Sequence, residues 1–208
     1  MFRRIILLCY ALAISYQSSF AQSPKFGIIA GAQISNPKGY KPHWGFKVGA
    51  KGEYEFTQSE NTAYVDLELV LSTKGWKDEI NYYNTDKYID WNTNLIYCEV
   101  PIYIGYKHSV NETTRLFASI GPYFAMGLYG STKFEDADIK NDNEGNLFNN
   151  GTYKKFDFGL GAKIGAEINN RWQFALGYEM GLIKPTDYKW KTFNLKNRTL
   201  ALSAAYMF

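Results

Sequence analysis

From Arg198 to Phe208 the chain alternates without a break. Leu200, Leu202, Ala204, Tyr206 and Phe208 fall on one face, and Thr199, Ala201, Ser203, Ala205 and Met207 on the other. A period of two is the signature of a β-strand, and a strand whose two faces differ this much must separate two solvents. The same apolar against small-or-polar pattern recurs in seven earlier segments. Strands are expected at about 25–35, 44–56, 62–72, 94–107, 115–129, 154–168, 171–183 and 197–208. Eight such strands in one chain limit the fold to a sandwich or a barrel.

The face that carries the charge decides between them. Val65, Leu67, Leu69 and Leu71 oppose Asp66 and Glu68. Trp44, Phe46, Val48 and Ala50 oppose Lys47, Lys51 and Glu53, and the segment around Trp172 to Leu182 sets six large apolar residues against Gln173, Glu179 and small residues. Every mid-strand charge lies opposite the large apolar side chains. A globular barrel would have to crowd all those aromatic and aliphatic groups inside while its glycines faced out. A narrow lumen instead needs the inward glycines Gly27, Gly31, Gly49, Gly121, Gly159 and Gly177. In a bilayer a basic residue on the lipid face costs ~2–4 kcal/mol at mid-depth, and a slip of one residue would put Asp66 and Glu68 into lipid. The pattern predicts an all-β, eight-stranded antiparallel transmembrane β-barrel with fixed register.

Connection lengths alternate in step. Gln58 to Asn61, Ser109 to Thr113 and Asn169-Asn170 are tight turns, whereas Asn36–His43, Thr73–Trp91, Gly130–Tyr153 and Lys184–Lys196 are long. Outer-membrane barrels have short periplasmic turns and longer external loops. The even strand count then places both termini in the periplasm. Aromatic residues at the strand ends fit interfacial girdles: Phe26, Phe56, Tyr106, Trp172, Tyr206 and Phe208 at the periplasmic rim, and Trp44 and Phe156, with the aliphatic Leu182, at the outer one.

The first residues suit this destination. Arg3 and Arg4 precede the apolar run Ile5–Ile14, and Ser19-Phe20-Ala21 supplies small residues before a cut ahead of Gln22. Residues 1–21 are expected to be a removed signal peptide and 22–208 one barrel domain. The formal net charge of +3 loses two units with Arg3 and Arg4, leaving +1, so no basic field points to nucleic acid. Cys98 is then the lone cysteine, which excludes an internal disulfide.

Tyr97–Lys107, Ser119–Tyr123, Phe156–Gly161 and Lys196–Leu200, four stretches in order, resemble the PorT-like outer-membrane barrels of Bacteroidota. Tyr97-Cys98-Glu99-Val100-Pro101-Ile102-Tyr103-Ile104-Gly105-Tyr106-Lys107 is similar to their x-x-E-x-P-x-x-x-x-Y-K strand, and Ser119-Ile120-Gly121-Pro122-Tyr123 to their x-x-G-P-Y. Phe156-Asp157-Phe158-Gly159-Leu160-Gly161 resembles the start of their sixth strand, and Lys196-Asn197-Arg198-Thr199-Leu200 the start of their last. The order matches across the whole mature chain. The resemblance implies an eight-stranded barrel in a Gram-negative outer membrane. It implies no single activity: the founding member is linked to assembly of the type IX secretion system, but the family is broad.

Two residue sets are candidate sites. The inward charges Lys47, Lys51, Glu53, Asp66, Glu68, Glu99, Lys163, Glu167 and Glu179, with Glu55, Lys107 and Asp157, form a lumen network. It reads as a hydrogen-bonded plug, because eight strands leave room for side chains and little else. Turn geometry sets Lys51 opposite Glu68 or Asp66, and Glu167 opposite Arg171 or Gln173. The external aromatics Trp76, Tyr82, Tyr83, Tyr88 and Trp91 in the second loop, and Tyr188 and Trp190 in the fourth, form a candidate binding surface.

Pro101 and Pro122 interrupt strands four and five, where bulges are expected, a weakened seam being the sharper alternative. Asp136, Asp138, Asp142 and Glu144 miss the EF-hand pattern, since Lys140 holds the first ligand position relative to Gly145. No metal and no cofactor are expected. The two histidines, His43 and His108, lie at opposite ends of the barrel and cannot share a catalytic site. The expected function is therefore non-enzymatic: a structural or accessory envelope protein, monomeric, in contact with outer-membrane lipid, lipopolysaccharide and envelope or secretion proteins. A small pore or ligand-binding transporter, and a lipid-modifying enzyme, are the other readings.

Overall fold

The computed structural model describes residues 24–37, 40–57, 59–81, 88–134, 146–184 and 196–208. Eight strands follow one another: β1 (Lys25–Ser35), β2 (His43–Glu55), β3 (Thr62–Asn81), β4 (Tyr88–Asn111), β5 (Thr114–Phe134), β6 (Phe156–Ile168), β7 (Trp172–Gly181) and β8 (Arg198–Met207). Each pairs antiparallel with its neighbour in sequence, and β8 pairs with β1 to close the barrel. Closure leaves no sheet edge, the condition for a sheet in hydrocarbon.

The register keeps the two faces apart throughout. Outward side chains include Trp44 at 70% exposure, Leu202 at 65% and Phe26 at 62%, while Asp66, Glu68, Glu99 and Lys107 are fully buried inside. This inversion of a globular protein's burial is what a lipid solvent requires. The aromatic girdle forms contacts at the periplasmic rim. The rings of Trp172 and Tyr206 lie 4.9 Å apart and those of Tyr206 and Phe208 5.7 Å apart. The Phe208 amide donates to the Phe26 carbonyl at 2.8 Å, so β1 and the end of β8 join at this rim.

The β6–β7 hairpin is tied by Asn169 and Asn170 with φ of 52° and 56°. Two successive left-handed residues make the turn whose twist matches that of the flanking strands, and asparagine tolerates that conformation well. The β4–β5 turn is held by Asn111, whose Oδ1 accepts from both the amide and the hydroxyl of Thr113 at 3.0 Å.

Two expectations need correction. β3, β4 and β5 run well past 62–72, 94–107 and 115–129, and their external ends stay paired. Much of the expected second loop is therefore sheet: Trp76 stands on β3, and Tyr88 and Trp91 on β4, opposite Asn81 and Asp78. The prolines produce no bulge. Pairing sums are the same on both sides of Pro101 and Pro122, and the register shifts lie at Ile96/Tyr97 and Ser109/Asn111. Pro101 points inward and Pro122 outward. The ladder skips Glu68–Leu69 against Val100–Pro101, and Ile102–Tyr103 against Gly121–Pro122. Proline has no N–H to donate; here the wall omits ladder pairs without changing register.

Candidate functional site: a lumen closed in layers

Inward charged residues of β2 to β7 meet inside the barrel and stack in levels. At the periplasmic level Lys107 Nζ reaches Glu55 at 3.0 Å and Glu167 at 2.5 Å, and also pairs with Glu53. Arg115 donates to Glu55 at 2.8 and 3.1 Å and, through Nε, to Glu167 at 2.9 Å. Gln173 Nε2 donates to Glu53 at 3.0 Å and Glu167 at 2.7 Å. Carboxylate oxygens of Glu53, Glu55 and Glu167 come within 4.8 Å of one another, a spacing a metal ion could use. Lys107 and Arg115 already thread these three groups, so the protein supplies its own cations.

The middle level centres on Lys163. Its ammonium lies 2.5 Å from Asp66 and 2.6 Å from Glu68, and 4.4 Å from the centre of the Tyr103 ring, a cation–π contact. Lys51 donates to Asp66 at 2.9 Å and Lys47 to Glu68 at 3.3 Å. The register does set Lys51 opposite Glu68 and Glu167 opposite Gln173. The shortest ion pair of Lys51 is nevertheless the diagonal one, to Asp66, while Glu68 takes Lys47 and shares Lys163 with Asp66.

Above this, Lys74 lies 2.6 Å from Glu99 and 3.2 Å from Glu179, with its ammonium 4.4 Å from the centre of the Tyr123 ring. The Glu99 contact is a charge pair without directed hydrogen-bond geometry. Asp157 accepts from the Tyr123 hydroxyl at 3.2 Å and from Asn197 Nδ2 at 2.7 Å.

The external mouth is closed by apolar groups. Leu147 and Phe148, from the segment between β5 and β6, fold into the barrel and pack on Trp76, Leu95, Tyr97 and Ala125, with Tyr40 and Tyr153 alongside. The rings of Tyr97 and Phe148 are 5.4 Å apart, and those of Trp76 and Tyr153 5.5 Å. Asn146 fixes this inward turn: its Oδ1 accepts from the amides of Gly130 and Phe148, and its Nδ2 donates to the Leu128 carbonyl at 2.7 Å. Gly127 is required beneath it, since a Cβ there would overlap the Phe148 ring.

Fully inward charges nearly cancel. Lys47, Lys51, Lys74, Lys107, Lys163 and Arg115 give six positive charges; Glu53, Asp66, Glu68, Glu99, Asp157, Glu167 and Glu179 give seven negative, a net of −1. A set this balanced and this interlinked fills space: Lys47 pairs with Glu68, and the other five cations each bridge two or more acids.

Four participants were not anticipated. Lys74 lies just beyond the expected third strand and Arg115 is the first residue of the expected fifth, and both continue the inward alternation of β3 and β5. Extending the period of two would have found them. Leu147 and Phe148 carry no periodic signal. Of the expected external aromatics, Trp76 is a correction: it is 2% exposed and part of the cap. Tyr88 and Trp91 are placed by their backbone only, and Tyr82, Tyr83, Tyr188 and Trp190 lie outside the described residues, as do Asp136–Glu144 and the leader.

No curated protein matches the chain in sequence. Among solved structures, Ail, the attachment invasion locus protein of Yersinia pestis, is 17% identical with a TM-score of 0.39, over 90% of this chain and all of Ail. Neisserial surface protein A is 11% identical with a TM-score of 0.45, over 91% of this chain and all of that one. The outer membrane enzyme PagL is 10% identical with a TM-score of 0.41, over 88% of this chain and 98% of that one. The assignment does not rest on these distant likenesses. It rests on the closed barrel with its inverted burial and on a family model that matches residues 11–187: the chain belongs to the outer membrane protein beta-barrel domain family and resides in the bacterial outer membrane.

Proposed function

We propose that this barrel is a non-enzymatic, structural or accessory protein of the cell envelope, acting through its external rim rather than its lumen. The observation that carries the reading is the stacked closure: three levels of ion pairs beneath an apolar cap. A pore or transporter needs a continuous polar path, and Trp76, Leu147 and Phe148 stand across it. A histidine-based lipid-modifying site finds little support: His43 begins β2 at the external end, and His108 lies near the periplasmic end of β4 with its side chain outward.

The four PorT-like stretches support the reading that the chain is one of the Bacteroidota barrels of that kind, whose founding member is secretion-linked. The leader 1–21 is removed on export. Partners are outer-membrane lipid, lipopolysaccharide and other envelope proteins, met by the external aromatics Tyr82, Tyr83, Tyr88, Trp91, Tyr188 and Trp190. Crosslinked affinity purification from intact envelopes, followed by mass spectrometry, tests this. Recovery of stoichiometric envelope proteins, lost when Tyr188 and Trp190 become alanine, is the expected result. A barrel recovered alone, with steady single-channel openings in planar bilayers, would replace the reading with the pore. A changed lipid A mass on overexpression would replace it with the enzyme.

A further inference from the structure

The lipid-facing wall is not evenly covered. Over β4 to β7, outward rows can be read directly from the register. The row nearest the periplasm runs His108, Leu116, Ala166, Phe174; the next Tyr106, Ala118, Ile164, Leu176; the third Ile104, Ile120, Ala162, Tyr178. Each row has one alanine, and the three alternate between β6, β5 and β6 again. The result is a zigzag of small side chains bordered by large ones, with Tyr106 and Ile164 flanking Ala118 and Leu116 and Phe174 flanking Ala166.

Two depressions follow from that, of about 700 Å³ and 540 Å³, and they meet over Tyr106, Ala118 and Ile164. Both lie in the half of the wall that adjoins the short periplasmic turns, since Leu116 is the third residue of β5 and Ala166 the third from the end of β6. At the periplasmic end the trough reaches His108, whose side chain is exposed.

We infer that this trough is a binding site for a phospholipid of the periplasmic leaflet, one acyl chain lying along Ala166, Ala118 and Ala162 with the phosphate at His108. Shape selects the occupant. Barrel walls are convex, so a second copy of this chain would bridge the bordering Tyr106, Ile164 and Phe174 and leave the strip between them unfilled. A flexible chain enters it and makes the dispersion contacts that a gap would forfeit. Depth selects the lipid, because the periplasmic half faces the leaflet that holds phospholipid rather than lipopolysaccharide. The imidazole, at headgroup height, is a donor suited to a phosphate oxygen.

The test uses the full-length protein reconstituted in phosphatidylethanolamine vesicles, extracted into mild detergent, and weighed by native mass spectrometry. The wild type is expected to keep one phospholipid per barrel. Ala118→Trp, which fills the point where both depressions meet, should lower retention about tenfold. Leu69→Trp, on the lipid face of β3 away from the trough, should leave it unchanged, and His108→Ala should lower it several-fold with the trough intact. Equal retention by the wild type and Ala118→Trp would overturn the site, as would a wild type that keeps no phospholipid. A dimer mass abolished by Ala118→Trp would assign the face to a second copy instead. Lipopolysaccharide as the retained lipid from native envelopes would also overturn it.

Discussion

The two ends of the lumen are closed by opposite means. At the periplasmic end Lys107 and Arg115 bind Glu53, Glu55 and Glu167, all of them supplied by strands. At the external end Leu147 and Phe148 arrive from a connecting segment and seal the mouth with apolar surface. The difference teaches that a wall and a loop face different constraints. A wall residue that points inward must suit a crowded interior with no free water, so charge there has to be matched. A loop that folds inward has only to exclude water, and apolar groups do that without partners.

That contrast can be broken at several points. The largest effect is expected at the ionic end. Lys107→Met would leave buried Glu53 and Glu167 and half-buried Glu55 with Arg115 and Lys51 as their nearest lumen cations, and stranding buried charge costs ~3–5 kcal/mol. Urea unfolding in lipid vesicles measures it, and a loss below ~1 kcal/mol, the range of exposed pairs, would mean that water reaches this end.

The apolar end should respond less, and to bulk rather than to charge. Gly127→Val would drive the Phe148 ring from its seat, at ~1–3 kcal/mol for overpacking. Limited proteolysis should then cut within 146–153, where the wild type is expected to resist; an unchanged digestion pattern would show that the cap does not depend on Gly127.

The wall between the ends provides a calibration. Asn169→Val puts a β-branched residue at φ 52° and should cost roughly 1–2 kcal/mol, whereas Asn169→Gly should be close to neutral. Thermal unfolding of the pair separates backbone strain from lost side-chain contact.

The smallest effect belongs to the rim. Lys25 pairs with Glu55 at 3.0 Å with its side chain 32% exposed, so Lys25→Ala should cost ~0.2–1 kcal/mol. Molar salt should erase that difference but leave most of the Lys107→Met deficit, because buried pairs are screened far less. Equal salt sensitivity in the two variants would erase the distinction between rim and interior.

Much of this was legible in the residues. Strand order, face and register follow from a period of two, and turn lengths separate the periplasmic side from the external one. The inward charges from Lys47 to Glu179 could be assigned to the lumen because a charge opposite a row of Leu and Phe has only one tolerable side. What alternation could not supply is partnership. Lys51 faces Glu68 yet makes its closest pair with Asp66, and Lys163 comes across the lumen from β6 to both acids. Nor does periodicity reveal where a strand stops when its neighbours continue to pair with it, and so Trp76 was expected in a loop.

The sequence by itself determined which solvent each strand face meets, because transfer free energy acts residue by residue and needs no knowledge of neighbours. Only the tertiary structure decided what fills the barrel's mouth. Leu147 and Phe148 could have pointed anywhere until Gly127 cleared the space, Asn146 turned the chain inward and Trp76, Leu95 and Tyr97 offered an apolar floor. Such packing depends on shapes brought together from β3, β4 and β5, and no local pattern encodes that meeting.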